Sequence, residues 1–105
     1  MSHSTFRVGL VQMAMSREPG ENVEKAAARV REAAKAGAEV VCLPELYRSP
    51  YFCQKEDPAL FDLAEPVPGP STETLSRVAK EAGVAVVVPI FEKRAPGLCH
   101  NSAVI

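Results

Sequence analysis

The order of apolar patterns along the chain predicts an α/β fold. Three apolar runs with strand character, Phe6 to Met13, Glu39 to Leu43 and Val84 to Val88, are separated by two segments whose apolar residues recur at helical spacing. Both separations leave room for helical crossovers, so the strands they join are expected to lie parallel in one sheet. A fourth strand is expected to begin at Asn101 or Ser102, after a turn at Ala95-Pro96-Gly97.

In the first strand Phe6, Val8 and Leu10 alternate with Arg7 and Gly9, and Val11 extends the run. Pro19-Gly20 marks a turn. Asn22 is well placed as a helix N-cap, with Glu21 and Glu24 near the positive end of the dipole. Val23, Ala26, Ala27, Val30, Ala33 and Ala34 form a narrow, alanine-rich face that permits close approach to a sheet. Gly37 stops this helix just past Lys35. The second strand ends at Pro44 and delivers one carboxylate, Glu45, at its carboxyl end. Ser71 or Thr72 caps the second helix, Leu75, Val78, Ala79 and Ala82 form its buried stripe, and Gly83 ends it. The valines of the third run favour a buried strand. Pro89 has no N–H to donate, so pairing is expected to break or bulge there.

Between strand two and helix two lies a 23-residue stretch, Arg48 to Pro70, holding five prolines. Loops longer than roughly 12–15 residues in compact domains are usually functional or disordered. Tyr51, Phe52, Leu60, Phe61 and Leu63 make this one too apolar for a disordered linker, so an ordered loop is expected, with a helical turn near Ala59 to Leu63. Two helices cannot cover both faces of a four-stranded sheet, so the sequence is expected to hold only part of its fold.

The 105 residues are 47% hydrophobic and 24% charged, with net charge -1, an ordinary soluble composition that points to neither nucleic acid nor an anionic membrane. No apolar run approaches the roughly 20 residues of a membrane span, and the first residues lack a signal peptide's blocks, so a cytoplasmic protein is expected. Cys42, Cys53 and Cys99 form neither a disulfide framework nor closely spaced metal-binding pairs. No metal and no cofactor are expected.

Ligands in α/β folds bind at the carboxyl ends of strands, which makes Glu45 a candidate for chemistry. The bland alternative is a Glu that caps a turn or pairs with an Arg. Three stretches weigh against it: Val8-Gly9-Leu10-Val11-Gln12-Met13, then Gly37-Ala38-Glu39-Val40-Val41-Cys42-Leu43-Pro44-Glu45-Leu46, then His100-Asn101-Ser102-Ala103. With Asn22 opening a helix and Pro68-Gly69-Pro70 before the second, they resemble the N-terminal part of the nitrilase, or carbon–nitrogen hydrolase, superfamily. Within it, Tyr51-Phe52-Cys53-Gln54 and Phe91-Glu92-Lys93-Arg94 look like N-carbamoylputrescine amidases.

The resemblance implies that residues 1–105 are the N-terminal part of a single hydrolase domain, an incomplete α-β-β-α sandwich. It also implies a Glu-Lys-Cys triad acting on a small amide or carbamoyl substrate, with Glu45 as general base. Tyr51, Phe52, Cys53 and Gln54 are the expected substrate-binding residues. The triad's Lys and Cys lie beyond residue 105 in the family, so this chain alone is expected to be inactive. Cys42 is a poor nucleophile here, because strand alternation places it and Glu45 on opposite faces. The full-length protein is expected to be a homo-oligomer with no nucleic-acid or membrane partner. N-carbamoylputrescine is the first substrate expected, cleaved to putrescine, ammonia and carbon dioxide in polyamine biosynthesis. A ureido acid or ω-amide is the rival, and Glu56 or Asp57 would meet putrescine's ammonium. A non-catalytic interaction module is the alternative of another class. A nucleotide-binding domain ranks last, since there is no GxGxxG after the first strand and no GxxxxGK.

Overall fold

A computed structural model describes residues 5–48 and 63–105. Its elements run β1 (Val8–Leu10), α1 (Pro19–Lys35), β2 (Val40–Cys42), α2 (Pro70–Ala82), β3 (Ala85–Ala95) and β4 (Leu98–Val104). They build one sheet in the order β1-β2-β3-β4. The first two pairings are parallel and the third antiparallel.

The register explains the core. Gly9, Val41 and Val86 lie in one row across the sheet, on the face that the helices cover. Val41, Val86, Val88 and Ile90 from that face join Ala26, Ala27, Val30, Leu75 and Val78 from the helices in one apolar cluster. The alanine-rich helix face does what its composition suggests: a Cβ placed on Gly9 would meet the Cβ of Ala33 at 3.1 Å, so only glycine lets α1 sit this close. The opposite face, with Val8, Leu10, Val40, Cys42 and Val87, has no helix over it among the described residues, and Val8 and Leu10 remain 48% and 80% exposed. The described residues thus form one mixed sheet with helices on one face, part of the expected sandwich.

Several expectations need correction. α1 begins at Pro19, so Asn22 lies inside the first turn instead of capping it, and it is fully buried. α2 begins at Pro70 with Gly69 as N-cap; Thr72 closes the turn by accepting from the Gly69 N–H at 2.7 Å and donating to its carbonyl at 2.9 Å. The end signals hold, with Gly37 just after α1 and Gly83 left-handed at φ 70° after α2.

β1 is shorter than the apolar run because β2 offers it only three partners. β4 starts at Leu98, earlier than expected, since Gly97 at φ 75° closes a tight turn. β3 does not break at Pro89, which pairs with Ala103. Ala85 and Val87 bond toward β2, through Ala85 N to Glu39 O and Leu43 N to Val87 O. Alternation therefore turns the Pro89 nitrogen to the side where β2 has already ended, and no ladder bond is forfeited. Burial along β3 alternates, so it is covered on one face only.

Candidate active site

Glu45 sits where β2 gives way to a turn. The strand ends at Cys42, Pro44 forbids further pairing, and Leu46 takes the left-handed conformation at φ 51°. That conformation is uncommon for a residue with a branched side chain. Leu46 is nonetheless buried at 3% exposure, which anchors the turn in the core. Glu45 itself is exposed.

Its carboxylate is held from β4. The Asn101 side-chain amide donates to Glu45 Oε1 at 2.6 Å, across 56 residues of sequence. Asn101 pairs with Phe91 in the register that also places Pro89 and Val87 on the open face, the face that carries Cys42. Alternation therefore does not separate Glu45 from Cys42 as expected: the turn ends the strand pattern and brings the carboxylate back to the open face. Among the described residues Glu45 enters no ion pair. A neutral amide orients a carboxylate without cancelling its charge.

Behind the turn lies a buried polar cluster that sequence reasoning missed. Tyr47 is fully buried and donates to Ser71 Oγ at 2.9 Å. Burial disfavours its phenolate, and the nearby Glu65 carboxylate adds to the effect. The Ser71 hydrogen bond and Arg48 oppose it; the pKa is raised from 10.0 to about 12. Arg48 reaches Glu65 Oε2 at 2.7 Å, while its carbonyl accepts from the Asn22 side chain at 2.8 Å. The signal for Glu65 was present in the sequence: a carboxylate a few residues before a helix start favours the positive end of the dipole.

Tyr51, Phe52, Cys53 and Gln54 lie outside the described residues, as do Lys55, Glu56, Asp57 and most of the helical turn expected near Ala59 to Leu63. Among the described residues Cys42 and Cys99 are free thiols, and no group of three or more His, Cys, Asp or Glu is arranged to hold a metal. No helix among them is long and apolar enough to cross a membrane.

The family model for carbon-nitrogen hydrolases matches residues 7–105. The chain belongs to the carbon-nitrogen hydrolase family. Among its curated relatives, an omega-amidase of Bos taurus is 39% identical over 102 residues, covering 97% of this chain and 36% of the relative. The Homo sapiens omega-amidase is 36% identical with the same coverage. A carbon-nitrogen hydrolase from Helicobacter pylori superposes with a TM-score of 0.85 at 35% identity, covering 93% of this chain and 34% of the other. An amidase from Nesterenkonia sp., with a TM-score of 0.70 and 21% identity, shares the fold. The chain thus spans about a third of the length of the relatives it matches.

Proposed function

We propose that this chain provides the general base of an amidase that hydrolyses a C–N bond in a small amide or carbamoyl compound. The observation that carries the reading is the Glu45 carboxylate held by Asn101 at 2.6 Å, at the carboxyl end of β2. A cysteine thiol is mostly protonated near neutral pH, with a pKa of about 8.5. Glu45 takes that proton as sulfur attacks the amide carbon and passes it to the nitrogen as the C–N bond breaks. It then draws a proton from the water that releases the acyl group. The cysteine and the oxyanion-stabilising lysine of the family's mechanism are not assigned to any residue of this chain.

Two substrates compete. The omega-amidase relatives support an ω-amide, a linear acid ending in a carboxamide. The run Tyr51-Phe52-Cys53-Gln54 supports N-carbamoylputrescine, with Glu56 or Asp57 meeting the ammonium. Identity over nearly the whole chain outweighs a four-residue run, so the ω-amide is placed first and the polyamine precursor second. In the full-length protein, which is proposed to be a cytoplasmic homo-oligomer, Glu45→Gln lowers kcat by about 10²–10⁴-fold while circular dichroism stays unchanged. Retained turnover rejects Glu45 as the base. A panel of an ω-amide, a ureido acid and N-carbamoylputrescine ranks the substrates by kcat/KM.

A further inference from the structure

From the cluster behind the Glu45 turn, we infer that Glu65 is a positioning residue for Glu45. The catalytic meaning of this inference rests on the amidase reading; its geometry does not. Glu65 is 4% exposed and occupies the row beside β3 that β2 has vacated. Its N–H donates to the Phe91 carbonyl at 3.0 Å, and its carbonyl accepts from Lys93 N–H at 2.7 Å.

From there its carboxylate gathers three groups. Oε1 accepts from the Ser71 N–H at 3.1 Å, at the first turn of α2. Oε2 accepts from Ser71 Oγ at 3.1 Å and from Arg48 Nη1 at 2.7 Å. Ser71 Oγ in turn receives the Tyr47 hydroxyl. Arg48 is tied a second time by Nη1 to the Leu63 carbonyl at 3.2 Å, and its own carbonyl is held by Asn22 of α1. The residues two and three past Glu45 are thus fixed to both helices.

Leu46 shows why such a clamp is needed. A non-glycine residue in a sparsely populated backbone region persists only where its surroundings over-determine it. Leu46 stands at φ 51° between the β2 ladder and the Tyr47–Arg48 pair. Fold stability alone does not call for a buried ion pair, since apolar residues of similar volume often serve as well or better. What a charged pair adds is direction. The cavity beside it, lined by Leu46, Arg48, Leu63, Glu65 and Ser71 among others, holds about 20 Å³. That is room for one water and far too little for an amide substrate, so the pair acts through the chain.

The test uses the full-length protein and Glu65→Gln, which keeps an acceptor for Ser71 but removes the charge that faces Arg48. The crystal structure of this variant is expected to show an intact sheet in which Glu45 has moved out of hydrogen-bonding range of Asn101. Its kcat is expected to fall by about 10- to 100-fold, with KM changed less than about threefold. Adding Arg48→Met removes the unpaired charge, which recovers the thermal midpoint but not kcat. An unmoved Glu45 in folded Glu65→Gln overturns the inference. Recovery of kcat together with stability in the double variant does the same, because a merely structural role restores both. If the wild-type protein hydrolyses no amide, the amidase reading fails, and the crystallographic arm still decides the role of Glu65.

Discussion

Tyr47 shows how one side chain links the site to the stability of the fold. Its hydroxyl is fully buried against Ser71, and its pKa is raised to about 12. The unfolded chain then loses this proton near pH 10 while the folded chain keeps it. Stability from this group is complete below pH 10 and is lost as pH rises from 10 to about 12, on the order of 3 kcal/mol in all. Tyr47→Phe removes that dependence, so its stability falls less steeply over this window than the wild type's in denaturant titrations. At neutral pH it is less stable by about 0.5–1.5 kcal/mol, the worth of one hydrogen bond. Parallel alkaline slopes in the two proteins would contradict the assignment. Glu45 is the residue that was legible from sequence, because a carboxylate directly after an apolar strand is a local pattern. Its partner Asn101, 56 residues away, was not.

Among the elements, the entry to α2 is decided by close contact. Gly69 has extended backbone angles that any residue adopts, yet a Cβ there would lie 2.3 Å from the Pro66 carbonyl oxygen. Gly69→Ala therefore forces the Pro66–Pro70 segment apart and costs about 1–3 kcal/mol, read as a lowered unfolding midpoint. An unchanged midpoint would mean that the segment yields freely. Helix ends were readable where a glycine is required by a left-handed angle, as at Gly83. Helix starts were misread at both α1 and α2. Asn22, Ser71 and Thr72 all have the chemistry of caps, but the Arg48 carbonyl engages the Asn22 side chain and the Tyr47 hydroxyl that of Ser71. In the same way, local propensity marked Pro89 as a break, while the sheet places its nitrogen where no partner strand remains.

On the scale of the whole molecule, the sheet is amphipathic in the wrong sense for a lone unit. Among the described residues one face is packed under α1 and α2, and the other presents Val8, Leu10, Val40, Cys42 and Val87 without a helical cover. The edge strand β1 carries Leu10 at 80% exposure. Unpaired edges and contiguous apolar surface promote association. The 105 residues produced alone are expected to self-associate in sedimentation velocity as concentration rises. Leu10→Lys weakens this with little change in unfolding midpoint, because that side chain is not packed. A monomer at all concentrations would refute the expectation.

Local pattern was enough for the α/β alternation, the two helices, the parallel crossovers, the family resemblance and Glu45 as the candidate base. Periodicity and glycine stops act over a few residues, so they are written in the sequence. Tertiary structure decided the rest. It carried Asn101 to Glu45, set Glu65 beside β3 where β2 ends, and returned the carboxylate to the face that carries Cys42. Those contacts join segments up to 56 residues apart, and only the register of the sheet determines which side chains meet.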